Sequence, residues 1–177
     1  MIADPSCHMA CFAVGSRRGE PVRVKAIVRS SLIEYPGHIA DVFFAGGCNF
    51  HCVYCYNRDL VLNHESLSDV PPEDLFASTA ERRRLVDGVV ISGGEPTLQP
   101  GLLDLLTLAR PNHLNINLDT KGDRPDILRQ CIHSRLVDYV AMDVKTSWQR
   151  YSELTQVEVD VRRLLESIEL ILSSGID

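Results

Sequence analysis

Three cysteines, Cys48, Cys52 and Cys55, fall within the short stretch AGGCNFHCVYCYN. Thiolates are soft metal ligands, and a C-x3-C-x2-C spacing puts three of them on one loop. Structural zinc takes four protein ligands, often as two pairs of cysteines, and no second pair follows at that spacing. His51 and His64 are the nearest residues that could complete such a site. An iron–sulfur cube takes one protein ligand per iron, so three cysteines would hold three corners and leave one iron open to a small molecule. Cys131 is a poor fourth ligand. It lies in a helical pattern beside Ile127, Leu128 and Ile132 and reads as a buried core thiol. Cys7, His8 and Cys11 also have metal-like spacing, but residues 1–21 mix Pro, Gly, Ser and charges and read as a loose leader with incidental thiols.

The elements that must position the cysteine loop alternate along the remaining residues, 22–177. Val22 to Val28 reads as an edge strand, followed by a turn at Pro36-Gly37. Ile39 to Ala45 is a buried strand whose C-terminal end delivers the cysteines. Pro71 to Leu85 is helical, Asp87 to Ser92 is a strand ending in Gly93-Gly94, and Pro100 to Arg110 is a leucine-rich helix. A strand at Leu114 to Thr120, a helix at Pro125 to Ser134 and a strand at Val137 to Lys145 follow. The chain closes with an amphipathic helix from Val159 to Ser173, with Gly175 where a C-terminal cap belongs. Such alternation predicts an α/β fold with a parallel sheet and right-handed crossovers. Ligands gather beyond the C-terminal strand ends of such sheets. The polar clusters of this sequence, namely the cysteines, GGEP, DTKG and MDVK, all fall there.

Composition narrows the function classes. The 177 residues suit one domain; 45% are apolar, 24% are charged, and the net charge is −6. An acidic balance argues against a nucleic-acid footprint. Arg82-Arg83-Arg84, the one dense basic cluster, falls at a helix end, where cations suit the dipole. No stretch is long and apolar enough to span a bilayer, and the first twenty residues lack a signal-peptide pattern. A cytoplasmic, reducing location is therefore expected, where six cysteines speak for metal or redox chemistry over disulfides.

CNFHCVYC resembles the signature of the radical S-adenosylmethionine superfamily. With SLIEYPGHIADVFFAGGCNFHCVYCYN, DGVVISGGEPTLQPGL and LVDYVAMDVK, the sequence from about Val24 onward is similar to anaerobic ribonucleotide reductase activating proteins, relatives of the pyruvate formate-lyase activases. The resemblance implies a partial (β/α) barrel of the radical SAM type. Cys48, Cys52 and Cys55 would hold a [4Fe–4S] cluster, with the amino and carboxylate groups of S-adenosylmethionine on the open iron. One-electron cleavage would give a 5′-deoxyadenosyl radical, which abstracts hydrogen from a glycine of a partner glycyl radical enzyme, an anaerobic ribonucleotide reductase. A reduced flavodoxin or ferredoxin-type donor would supply the electron.

By the same resemblance, Tyr54 would lie near the adenine, Gly93 and Gly94 would let the backbone approach the methionine part, and Glu95 would meet its ammonium group. Asp119 and Thr120 match the family's Asp-Thr and Asp143 and Lys145 its Asp-x-Lys, where the acidic residues help hold a monovalent cation beside the cofactor carboxylate and the lysine contacts the cofactor. Asn57 would shape the loop after the cluster. Three departures stand out. Tyr56 replaces a common histidine. Lys121 replaces a common asparagine and brings a cation to the site. Relatives of this type also continue through further strand–helix units, so the core reads as truncated at its C-terminus. Two other readings keep part of this picture. One is a related enzyme acting on a formate-lyase-like partner or a small molecule. The other is a non-catalytic fold holding zinc through the three cysteines and a histidine.

Overall fold

A computed structural model describes residues 21–176. The expected leader, with Cys7 and Cys11, lies outside the described residues. The strands are β1 (Val24–Ser31), β2 (Ala40–Ala45), β3 (Gly88–Gly93), β4 (Asn115–Thr120) and β5 (Tyr139–Met142). The helices are α1 (Arg58–Leu62), α2 (Pro72–Glu81), α3 (Leu102–Ala109), α4 (Pro125–His133), α5 (Tyr151–Thr155) and α6 (Val161–Ser174).

The strands form one sheet in chain order. β2 to β5 are parallel, as the alternating pattern predicts, but β1 runs antiparallel to β2. The reason is the connection: the short Leu32–Ile39 segment can turn the chain back but cannot carry a parallel crossover. Period-two alternation then divides the side chains between two faces. Phe43, Val89, Ile91, Ile116, Leu118 and Val140 pack beneath the helices. Ala40, Val42 and Val90 line the opposite face, where Tyr35 covers them.

Helical periodicity supplies the other half of the core. α3 buries Leu102, Leu105, Leu106 and Ala109, and α4 buries Leu128, Cys131 and Ile132. Each buried leucine contributes roughly 1.5–3 kcal/mol, more than the ~1 kcal/mol typical of a helix cap. Packing therefore places these helices, and caps trim their ends. α6 has both kinds of support. Asp160 accepts the Arg162 N–H at 3.1 Å, Leu164 is buried, and Gly175 closes the helix at φ +72°.

α2 stops at Glu81, short of the expected Leu85. The cause is a carboxylate on the helix-facing side of β2. Asp41 is 0% exposed and accepts from Thr79 Oγ1 (2.6 Å), Arg82 (2.6 Å), the Ser30 N–H (2.9 Å) and Arg29 (3.0 Å). Burial alone would push this carboxyl up, but the four donors outweigh burial and hold it below its ordinary value. Arg82 thus belongs to an internal ion cluster and is not simply a helix-end cation.

Candidate metal and cofactor site

The C-terminal ends of β2 to β5 surround a cleft of about 460 Å³. Cys48, Cys52 and Cys55 form one wall. Gly93, Gly94 and Glu95 follow β3, Asp119 and Thr120 end β4, and Asp143 and Lys145 follow β5, all bordering the same cleft with Tyr54. The structure therefore brings together the cysteines and every residue that the resemblance assigned to the cofactor.

Backbone contacts on both sides fix the cysteine loop. The Gly46 N–H donates to the Arg23 carbonyl (2.9 Å) and the Gly47 N–H to that of Leu60 (2.7 Å). Farther along, the His51 and Val53 N–H groups donate to the Thr155 and Leu154 carbonyls at the end of α5 (2.9 and 3.1 Å). Phe50 and Cys52 pack with Tyr151 and Leu164, so α5 and α6 hold the loop's apolar side. Burial raises the Cys48 thiol to about 11 and raises Cys52 as well. A metal taken up here must displace those protons.

The donor set can be tested against the groups that the sequence left open. His51 is exposed, and His64 Nε2 is 3.1 Å from Glu65 rather than in the cleft. Among the described residues, no three His, Cys, Asp or Glu side chains converge on a single ion. Three sulfurs along one wall, facing a roomy cleft, fit a multi-iron cluster with an open corner better than a closed four-ligand ion.

Glycines let the two strand-end loops meet. A Cβ on Gly94 would overlap the Gly47 carbonyl, and one on Gly93 (φ +113°) would overlap the Ala45 backbone. The Gly94 and Glu95 N–H groups instead donate to the Ala45 and Gly47 carbonyls, each at 2.9 Å. The crossing of protein backbone on protein backbone is therefore enough to require both glycines. Asn57 completes the junction, its amide 3.5 Å from the Gly93 carbonyl.

Glu95 is 1% exposed and fully ordered by its neighbours. Its Oε1 accepts from the Thr97 N–H (3.0 Å), the Thr97 hydroxyl and the Thr120 hydroxyl (2.8 Å). Its Oε2 accepts the Lys121 N–H at 2.9 Å and lies 3.6 Å from Lys121 Nζ. Asp119 differs. Burial lifts its pKa to about 6, helped by Glu34 and Asp143 and opposed by hydrogen bonds from Ser92 and Asn117. At the rim, Lys145 pairs with the exposed Asp143. Burial alone would lower the Lys145 ammonium, but this partner outweighs burial and raises it. Its N–H donates to the Tyr151 hydroxyl at 2.9 Å, and Tyr54 is half exposed beside it.

The radical SAM superfamily model matches residues 42–177, spanning the cysteine loop and all four strand ends of the cleft. The chain belongs to the radical SAM superfamily. Among curated relatives, a Methanocaldococcus jannaschii protein bearing the name of a glycyl-radical enzyme activating enzyme is 34% identical over 84% of this chain and 61% of its own length. A Haemophilus influenzae protein with the same kind of name is 31% identical over 57% of this chain and 39% of its own. The pyruvate formate-lyase-activating enzyme of Streptococcus mutans is 31% identical over 50% of this chain and 35% of its own. The chain thus spans less than two thirds of the curated relatives it matches. The crystal structure of QueE from Escherichia coli superposes with a TM-score of 0.48 at 18% identity, over 89% of this chain and 78% of that one.

Membership of this superfamily implies a [4Fe–4S] cluster and S-adenosylmethionine, and three cysteines along one side of a roomy cleft suit both. Several residues of this radical SAM site were not singled out from the sequence. Thr97 orders Glu95, Phe50 anchors the cysteine loop, and Asn117 touches Asp119 at 3.0 Å. The alternation Asn115, Asn117, Asp119 carried a signal, because it puts three polar residues on one strand face. No comparable signal marked Phe50 or Thr97.

Proposed function

We propose that this chain is the catalytic core of a glycyl-radical enzyme activase whose partner is an anaerobic ribonucleoside-triphosphate reductase. One observation carries the reading: a single cleft joins the three-cysteine wall to GGE and to the strand-end Asp, Thr and Lys residues. Relatives named as glycyl-radical activases support the class of partner, and the resemblance running from about Val24 onward favours the reductase.

Cys48, Cys52 and Cys55 would hold a [4Fe–4S] cluster beside the cleft. Such a cluster, with an electron from a flavodoxin or ferredoxin-type donor, would supply the one-electron chemistry for reductive cleavage of S-adenosylmethionine. The chain's own residues bind, orient and exclude water. Glu95, fixed by Thr97, Thr120 and Lys121, is oriented to take the methionine ammonium. Gly93 and Gly94 bring their backbone to the methionine part, and Tyr54 covers the adenine at the rim. Lys145 contacts the cofactor, while Asp119, Thr120 and Asp143 offer oxygens for a monovalent cation beside its carboxylate.

Anaerobic reconstitution with iron and sulfide, reduction by dithionite and addition of S-adenosylmethionine should release 5′-deoxyadenosine. Cys48→Ala should abolish that product. A loaded, reduced protein that makes none would sink the proposal. A pyruvate formate-lyase-type partner is the second reading, favoured by the Streptococcus mutans relative. Incubation with each class of glycyl radical enzyme separates the two, because only the true partner gains a glycyl radical signal by electron paramagnetic resonance.

A further inference from the structure

Lys121 follows β4 and is 4% exposed, a buried cation directly beneath the cysteine loop. Its Nζ pairs with Asp123, lies 3.6 Å from Glu95 Oε2 and sits 4.3 Å over the Phe50 ring. The other oxygen of Asp123 accepts from the Asn49 amide at 2.6 Å. Asn49 and Phe50 lie between Cys48 and Cys52, and the Phe50 N–H donates to Cys48 Sγ at 3.4 Å. The ammonium is thus wedged between the GGE carboxylate and the cysteine loop.

Burying an ammonium is costly unless opposite charge and an aromatic face compensate. Both are present: Lys121 is the counter-charge of Glu95 and Asp123, and a methionine of similar length could fill its place over Phe50 but not that electrostatic role. The same charge stands beside the cysteine loop, because Lys121 lines one cleft with Cys48, Cys52 and Cys55 and lies over Phe50, two residues from Cys48. In a site shielded from water the field of such a charge is weakly screened.

We propose that Lys121 is a positioning residue acting as a fixed internal cation, one that makes addition of an electron to a cluster held by Cys48, Cys52 and Cys55 more favourable. This rests on the cluster reading above. Three cysteine thiolates already give the wall a negative charge, and a reducing electron adds another. A cation in the adjacent wall stabilises the reduced form more than the oxidised one. Asp123 tempers that effect and ties the cation to the loop through Asn49.

The test is a redox titration of the reconstituted full chain, followed by electron paramagnetic resonance, with iron and sulfide content measured on each sample. Lys121→Met should lower the reduced-to-oxidised ratio at fixed potential about tenfold, a negative shift of about 59 mV for a one-electron couple. Lys121→Arg should restore most of it. Asp123→Asn, which removes a neighbouring negative charge, should shift the midpoint the opposite way. Opposite signs for these two variants are what a packing role alone does not produce.

An unchanged midpoint in a fully loaded Lys121→Met protein overturns the inference. A Lys121→Arg protein shifted as far as Lys121→Met does the same, because charge would then not be the cause. If Lys121→Met takes up no iron, the sign of the Asp123→Asn shift decides. If neither loads while Lys121→Arg does, Lys121 is a folding clamp and the inference fails. A wild-type protein that binds no cluster at all overturns the functional reading itself, a result distinct from each of these.

Discussion

A Cβ on Gly94 would run into the Gly47 carbonyl oxygen, with backbone on both sides and no flexible side chain to yield. Gly94→Ala should therefore cost about 1–3 kcal/mol, the usual penalty for overpacking, seen as a lower urea midpoint in the cluster-free protein. Gly37 makes the control. At φ +80° it has nothing within 4 Å, so Gly37→Ala should cost only the left-handed backbone penalty, about 1 kcal/mol. Equal losses at the two positions would refute the steric account. Asp119 gives a second test. Its folded pKa of about 6 exceeds the ordinary 3.8, so the folded state binds the proton more tightly than the unfolded one. Its contribution is fully present below about pH 4 and is lost as pH rises through about 6. Subtracting the Asp119→Asn stability profile from wild type should leave a fall of up to about 3 kcal/mol across that window. A flat difference would mean that Asp119 titrates normally. At this scale the sequence exposed residues whose side chains carry the chemistry, such as the cysteines and Glu95. It did not expose Phe50 or Thr97, whose importance comes from what the fold sets against them. Gly94 was legible as a glycine that something must approach, but not that the approaching group includes Gly47.

Elements long enough to show a period were readable in advance. α3, α4 and α6 display helical spacing, β2 and β3 are apolar runs between turns, and β4 alternates polar with apolar residues. α1 and α5 span five residues each, too few for a repeat to register, yet α5 is the element that grips the cysteine loop through Thr155 and Leu154. The end of α2 was misjudged for a different reason. Arg82 is drawn to Asp41 across β1 and β2, and no local pattern reports a partner 41 residues away. The Asp41 cluster ties β1, β2 and α2 together. Asp41→Asn would leave Arg29 and Arg82 without their buried counter-charge, and breaking such a pair typically costs about 3–5 kcal/mol. Equilibrium denaturation of the variant should show that loss without a change in slope. A loss below 1 kcal/mol would indicate that the guanidinium groups simply turn out to solvent.

Across the molecule, the sheet has two unlike ends. Toward the N-terminal strand ends, Tyr35 is buried against Tyr139 and meets the His38 ring at a tilt, and His38 Nδ1 lies 3.0 Å from Asp87. Toward the other end, the loops carry the cleft, and the cysteine segment is fastened through backbone bonds to Arg23 just before β1, to α1 and to α5. A ligand that binds the folded state but not the unfolded one adds its binding free energy to stability. A cluster also fixes three points of one loop, so its local effect should be concentrated in that loop and its anchors. Anaerobic loading with iron and sulfide should therefore raise Tm and slow amide exchange at His51 and Val53, whose N–H groups bond to α5. Exchange at Asn115 and Asp138, paired within the far end of the sheet, should slow only as much as the global gain requires. Cys48→Ala should remove both effects. Uniform protection of the two ends would instead show that the loop opens only when the whole domain unfolds, so that loading adds to global stability without a local component.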